Sequence, residues 1–118
     1  MPGFMLLLHQ SPDKFRDLAP EEMQQLLARY TAWRQELIDH NRLRGGEKLT
    51  NDGGRRLRVQ GNQVSVTDGP YSEATEVLGG FFAIEAKDYD DAVAVARTCP
   101  HLTGAQWIEV RQIDVVHG

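Results

Sequence analysis

A short apolar run near the start of the chain constrains the fold more than any other feature. Residues 4–8 are Phe, Met, Leu, Leu and Leu, so an extended segment here would present apolar side chains on both of its faces. Because successive side chains of a strand alternate between the two faces of a sheet, such a run is typical of a central strand that is covered on both sides. The run therefore predicts a first strand in the middle of a sheet, with a layer of structure on each side.

Two segments show the spacing of amphipathic helices. The first runs from Pro20 to about His40 and has apolar residues at three- and four-residue steps, namely Met23, Leu26, Leu27, Tyr30, Trp33, Leu37 and Ile38. The second begins after Asp88, which is predicted to cap it with Asp91 three residues further on, and Pro100 is predicted to end it. Stripes of this kind predict that each helix packs one face against a sheet.

A β-hairpin is predicted in the middle of the chain. Residues 56–60 and 63–67 alternate polar and apolar side chains and flank Gly61 and Asn62, which suit a two-residue turn. The predicted register pairs Val59 with Val64, Leu57 with Val66, and Arg55 with Asp68. All four apolar side chains then lie on one side of the hairpin, and the last pair would be an ion pair at its open end.

The order of the elements predicts the fold class. Further strands are expected at residues 80–86 and 105–113, whereas residues 41–54 contain four glycines among polar neighbours and are interpreted as an irregular connection. Strand, helix, hairpin, strand, helix, strand predicts one domain over residues 1–118, an α+β sandwich of an antiparallel sheet with two helices on one face. Because the first strand needs cover on both faces, we expect a homodimer in which a second subunit covers the other face.

The composition argues against several classes of function. The 118 residues carry a net charge of -4, so a broad basic surface is missing and no direct nucleic-acid partner is expected. Cys99 is the only cysteine, which excludes an intramolecular disulfide and favours a reducing, cytoplasmic location. The longest apolar run is far shorter than the roughly 20 residues of a membrane helix, so neither export nor membrane insertion is expected.

The most distinctive motif of the sequence lies in residues 68–81, with a related segment upstream. Its residues are Asp68, Gly69, Pro70, Tyr71, Glu73, Glu76, Leu78, Gly79, Gly80 and Phe81, preceded by Gly45, Gly46 and Glu47. The motif resembles the signature of the DGPF subgroup of the YCII-related family, whose members often have a lysine where this chain has Thr75. This resemblance covers nearly the whole chain and implies a ferredoxin-like dimeric α/β barrel.

The resemblance leaves two functions open. The broader YCII-related family looks like a group of small enzymes that use a His–Asp pair, but this chain has no histidine between Pro20 and Ile38, where the family's helix would carry it. One expectation is therefore a small-molecule enzyme that uses carboxylates for acid–base chemistry in a dimer pocket. The alternative is a non-catalytic regulatory or binding module, because DGPF members resemble proteins that are encoded near, or fused to, extracytoplasmic-function sigma factors, which implies a signalling partner.

Carboxylates around the motif are the first candidates for acid–base chemistry. Asp68 is predicted at a strand end near Glu73 and Glu76, and Glu47 is predicted in the upstream loop. Like charges and partial burial favour the protonated form of a carboxyl group, which suits a general acid or base. Asp68 has an equally simple structural role, as a turn former that pairs with Arg55.

His9 and Tyr71 complete the candidate site. His9 ends the first strand, where an imidazole that titrates near neutral pH would suit catalysis, although a hydrogen bond alone would also explain it. Tyr71 would either donate its hydroxyl to a ligand or pack at the mouth of the barrel. Glu73, Glu76 and Arg55 are the other candidates for ligand binding. The histidines lack ligand spacing, so no metal site is predicted, and no cofactor is predicted either.

Overall fold

The computed structural model describes residues 1–13, 17–50, 52–68 and 76–115. Along this part of the chain the elements are β1 (Gly3–Gln10), α1 (Pro20–Asp39), β2 (Leu43–Lys48), β3 (Arg55–Gln60), β4 (Gln63–Asp68), β5 (Val77–Glu85), α2 (Tyr89–Ala96) and β6 (Trp107–Gln112). The predicted α+β class is confirmed.

Four of the strands form one antiparallel sheet in the order β2-β5-β1-β6. The strand β1 pairs with β5 on one side and with β6 on the other, so its predicted central position is confirmed. The chain contains two strand–helix–strand units, one with β1, α1 and β2 and the other with β5, α2 and β6. In the sheet β5 lies between the two strands of the first unit and β1 lies between the two strands of the second, so the units interleave. This order is compatible with a ferredoxin-like sandwich.

The hydrophobic core lies between one face of this sheet and the two helices. Phe4, Leu6 and Leu8 alternate along β1 and are buried, which places them on the face that the helices cover. The Trp33 ring of α1 meets the Phe82 ring of β5 edge-on, with 4.9 Å between the ring centroids. The remaining buried members of the core are Leu37, Ile84, Ala86, Ala92, Ala96 and Cys99. Both helices therefore pack on the same face, as predicted.

The first helix has the predicted bounds but a narrower buried stripe than predicted. It runs from Pro20 to Asp39, and Leu26, Trp33 and Leu37 are its buried residues. Leu27 and Ile38, at the margins of the stripe, are exposed. Within the described residues, no helix is both long and apolar enough to cross a bilayer.

The second helix begins as predicted and ends earlier. The Asp88 carboxylate accepts a hydrogen bond from the Asp91 backbone N–H at 2.9 Å, so the predicted N-cap is confirmed. The helix ends at Ala96, however, several residues before Pro100. The Thr98 hydroxyl donates to the Val95 carbonyl at 2.7 Å. A side chain close in sequence thus satisfies one of the carbonyls in the last turn of the helix. The expectation that proline ends this helix is therefore wrong.

The interpretation of residues 41–54 as an irregular connection is wrong for the segment Leu43–Lys48. That segment is the edge strand β2, which pairs with β5. Glycine weakens strands in general, so two adjacent glycines suggested a loop. In the structure Gly46 lies against Phe82, and a Cβ on Gly46 would stand 2.6 Å from the phenylalanine ring. The glycine is thus a packing requirement of the strand.

The hairpin of β3 and β4 has the predicted register, with Val59 opposite Val64, Leu57 opposite Val66, and Arg55 opposite Asp68. It forms a separate two-stranded sheet and does not join the main one. The radius of gyration is 16.4 Å, whereas a compact domain of this length has about 13 to 14 Å. The apolar side of the hairpin, made of Leu57, Val59, Val64 and Val66, is 59% to 75% exposed. We call these four residues the hairpin patch.

Candidate functional site

The face of the sheet that the helices leave open carries a cluster of polar and aromatic side chains that includes the predicted site residue His9. The register of β1 and β6 places His9 opposite Trp107, and their rings stack with centroids 4.0 Å apart and planes 8° from parallel. Along β1 the half-buried residues Met5, Leu7 and His9 alternate with the buried core residues. His9 therefore lies on the open face.

The imidazole of His9 contacts a carboxylate of the neighbouring strand. His9 Nε2 lies 3.2 Å from Glu109 Oε1, and both side chains are partly buried. Glu109 is the register partner of Leu7, so it is the diagonal neighbour of His9 on the same face. Because an ionised carboxylate only accepts hydrogen bonds, Nε2 carries the proton in this pair. Arg111 Nη1 donates to the other oxygen of Glu109 at 3.3 Å and holds the carboxylate from its far side.

A second carboxylate bonds to the stacked indole. Trp107 Nε1 donates to Glu76 Oε2 at 2.8 Å, just before β5 begins. Glu76 thereby fixes the orientation of the indole against which the imidazole stacks. We call His9, Glu76, Trp107 and Glu109 the His9 cluster.

The geometry of the His9 cluster suits proton transfer. In the neutral imidazole with Nε2 protonated, Nδ1 keeps a lone pair and can accept a proton. Within the described residues, Nδ1 of His9 has no hydrogen-bond partner. A positive charge that developed on the ring would be stabilised by Glu109, the arrangement in which a carboxylate orients a general base.

The structure places Asp68 and Arg55 away from this cluster, on the hairpin. Their side chains form an ion pair across β3 and β4 and are 82% and 68% exposed, respectively. Among the described residues, no hydrogen bond or ion pair connects Asp68 to His9, Glu47 or Glu76. The partial burial expected for Asp68 is not found within the single chain. Its pairing with Arg55 fits the structural role, an ion pair at the open end of the hairpin, that the sequence left open.

Glu47 lies in an edge strand and not in the predicted loop. Glu47 of β2 pairs with Phe81 of β5, and Phe81 pairs with Leu7 of β1. On its other side Leu7 pairs with Glu109 of β6. Glu47 and Glu109 therefore lie on the same face in one row that crosses the sheet. Since neighbouring strands are about 4.8 Å apart, three strand spacings, roughly 14 Å, separate their backbones. His9, on β1, is two strand spacings and two residues along from Glu47, so roughly 12 Å separate their backbones. Glu47 is thus too far from His9 to share a proton with it in one chain.

Among the remaining candidates, Tyr71 and Glu73 lie outside the described residues. The structure brings together two of the predicted residues, His9 and Glu76, through Trp107. Sequence reasoning missed Trp107 and Glu109 as site residues. Their alternation in β6 predicts that they share one face, but only the pairing of β6 with β1 shows that this face also carries His9.

Comparison with known proteins gives a family. The family model of the YCII-related domain matches residues 3–115, which is nearly the whole chain. A search among curated proteins finds no relative that matches.

Proposed function

The chain belongs to the YCII-related domain family, and we propose that it is a small-molecule enzyme in which His9 transfers a proton inside a pocket closed by a second copy of the chain. The observation that carries the proposal is the contact of 3.2 Å between His9 Nε2 and Glu109 Oε1. Nδ1 takes a proton from an acidic C–H or O–H of the substrate, and the imidazolium that results is stabilised by Glu109. The same nitrogen then returns the proton to the substrate at another atom.

The proposed second subunit rests on the open face of the sheet. Met5 and Leu7 lie at the centre of that face beside Phe81 and Ala83, and all four are half-buried although neither of the two described helices covers them. Water would contact this apolar surface in an isolated chain, whereas the same face of a second copy would exclude it. Two sheets packed in this way would form the dimeric α/β barrel that the resemblance of residues 68–81 to the DGPF subgroup implies.

Native mass spectrometry tests the assembly. We expect a dimer for the natural chain and a folded monomer for Leu7→Lys, because a lysine at the centre of the proposed interface would bury an unpaired charge. Gln24→Lys is the control, since it adds the same charge on the exposed side of α1. A monomeric natural chain, or a Leu7→Lys variant that dimerises as well as the control, would reject the proposed pocket.

Deuterium exchange tests the chemistry. Pyruvate, 2-oxobutyrate and acetoacetate carry acidic C–H groups, and proton NMR in D₂O follows their exchange. We expect the natural chain to accelerate exchange of at least one of them and His9→Gln to lower that rate by about a hundredfold or more. Glu109→Gln should lower the rate less, because the base remains. Asp68→Asn should leave the rate unchanged. If Asp68→Asn lost activity while His9→Gln stayed fully active, Asp68 and not His9 would be the base.

A second candidate function is the regulatory or binding module, and the hairpin patch favours it. An isolated two-stranded hairpin is marginally stable in water, and this one exposes four apolar side chains. A patch that stays exposed in the dimer is suited to a protein partner such as the sigma factors that the resemblance implies. Binding of 1-anilinonaphthalene-8-sulfonate to the dimer, lost in Val59→Lys, would favour this module. No binding to the dimer would favour the enzyme.

A further inference from the structure

A cleft lies on the opposite side of the sheet from the His9 cluster. It opens between α1 and strands β2, β5 and β1 and has a volume of about 240 Å³. Its apolar walls include Leu8, Leu26 and Phe82. The volume is slightly below the roughly 300 to 1,000 Å³ of common ligand pockets, so an occupant would be small. We call this space the helix-side cleft.

The helix-side cleft depends on glycines in its floor. Gly79 lies at the irregularity in the pairing of β1 with β5, where Leu8 pairs with Gly80 and His9 with Leu78. A Cβ on Gly79 would stand 2.2 Å from the side-chain amide of Gln10. A β-bulge with glycine therefore makes room for the Gln10 amide at the bottom of the cleft.

Gln10 is the first polar feature of the helix-side cleft. The residue is only 5% exposed, yet its side-chain amide has no hydrogen-bond partner within the described residues. Every fully buried side-chain nitrogen and oxygen of the described residues has a hydrogen-bond partner. The unbonded amide of Gln10 is therefore not fully buried, and we infer that its remaining exposed surface faces the cleft that Gln10 lines. A nearly buried amide that is not bonded by protein needs a partner in the cleft, because its desolvation is otherwise uncompensated.

Tyr30 and His101 form a hydrogen-bonded wall of the cleft. His101 is 1% exposed, and its Nε2 donates to the His9 carbonyl at 2.8 Å. Its Nδ1 lies 3.3 Å from the Tyr30 hydroxyl and can accept that proton. Burial, and to a smaller extent the nearby Cys99, raises the pKa of Tyr30 above its usual value, so the phenol keeps its proton. The Tyr30 phenol therefore contributes a polar group without charge to this wall.

The charge at the rim of the cleft comes from two cations. Arg34 lies one helical turn after Tyr30 on α1, and Lys48 ends β2. Within the described residues the Arg34 guanidinium has no hydrogen-bond or ion-pair partner. Glu47 also contributes to the lining, but strand alternation directs its carboxylate to the opposite face from Lys48. Arg34 therefore brings a positive charge to the rim, although the whole chain has a net charge of -4.

We propose that the helix-side cleft binds a small organic carboxylate with an apolar body and a polar substituent. The carboxylate pairs with Arg34 at the rim, since a guanidinium matches a carboxylate in a bidentate fashion. The apolar body lies between Leu26 and Phe82, and the Gln10 amide bonds to the polar substituent at the bottom. This site is separate from the His9 cluster and does not depend on the proposed proton transfer.

The test is a titration of the ¹⁵N-labelled full chain with 4-hydroxyphenylacetate, followed by amide chemical shifts. We expect saturable shifts at Gly46, Gly79 and Gly80, which form the floor. The neutral amide of the same compound should bind about tenfold more weakly or worse, because it cannot form a charged pair with Arg34. Phenylacetate, which lacks the hydroxyl group, should also bind more weakly, because the Gln10 amide stays unbonded.

Two variants on α1 make the test decisive. Arg34→Gln should weaken binding of 4-hydroxyphenylacetate by about tenfold or more, whereas Arg29→Gln, on the same helix but outside the lining, should leave it unchanged. His9→Gln should also leave it unchanged, so failure of the proposed catalysis and failure of this site are distinguishable. The proposal is overturned if 4-hydroxyphenylacetate produces no saturable shifts at the three glycines, or if Arg34→Gln binds as tightly as the natural chain.

Discussion

Trp33 Nε1 donates a hydrogen bond of 2.8 Å to Thr98 Oγ1 and thereby connects the middle of α1 to the turn after α2. The Thr98 hydroxyl in turn donates to the Val95 carbonyl, so its oxygen is oriented to accept from the indole. This is a polar contact at the edge of the core, between elements that are 65 residues apart. It holds the two helices in one relative position on the sheet.

The first prediction concerns this contact. Trp33→Phe should lower the free energy of unfolding by about 1 to 3 kcal/mol, from the lost hydrogen bond and the smaller ring. Thr98→Val should cost about 1 kcal/mol, and the double variant should cost less than the sum because the hydrogen bond is lost only once. Urea unfolding of the four proteins measures the coupling. Strict additivity would mean that the bond contributes nothing to stability.

The second prediction uses two adjacent glycines of β2 as a matched pair. A Cβ at Gly46 would lie 2.7 Å from the Phe81 carbonyl oxygen, a backbone atom that cannot move aside, whereas a Cβ at Gly45 would meet nothing within 4 Å. Gly46→Ala should therefore lower the stability by about 1 to 3 kcal/mol, and Gly45→Ala should change it by less than about 1 kcal/mol. Thermal unfolding compares the two, and equal effects would contradict this account.

These glycines also show why part of the fold was predictable and part was not. The helix α1 and the hairpin follow from spacing within one segment, and both were predicted to within a residue or two. The strand β2 depends on a contact between Gly46 and Phe82, which is 36 positions further along the chain. Local propensity therefore indicated a loop, and tertiary packing overrode it.

The candidate site was harder to predict for the same reason. His9 was a candidate because it ends a buried strand, but its partner Glu109 lies 100 residues away and becomes a neighbour only through the pairing of β1 with β6. Asp68 and Arg55 are the opposite case. Their pairing follows from the turn at Gly61, so it was predictable, and the structure shows it as an exposed ion pair.

The third prediction concerns the cap of α2. The Asp88 side chain accepts from the Asp91 backbone N–H at 2.9 Å, which satisfies one of the free donors of the first turn. Asp88→Ala should cost about 1 kcal/mol of stability, whereas Asp88→Asn keeps an acceptor oxygen at the same place and should cost a few tenths at most. Chemical denaturation of both variants checks this, and an equal loss in the two would assign the effect to charge instead of capping.

The fourth prediction concerns Asp91 and acid stability. Asp91 Oδ2 accepts from the Lys87 backbone N–H at 2.9 Å and from Arg42 Nη2 at 2.8 Å. These two hydrogen bonds, first that of Lys87 and then that of Arg42, hold the pKa of Asp91 below its usual value. The folded state therefore favours the ionised carboxyl group more than the unfolded state does.

The sign of the pH dependence follows from that difference. The stabilising effect of the ionised Asp91 is complete above the unfolded-state pKa of about 3.9, and it is lost as the pH falls through the lower pKa of the folded state. Asp91→Asn should thus be less stable than the natural chain at pH 7, and the gap should close below about pH 4. Urea unfolding between pH 7 and pH 2.5, with NMR titration of the Asp91 carboxyl carbon, measures both quantities. A gap that stays constant across this range would show that the ionisation of Asp91 does not contribute to stability.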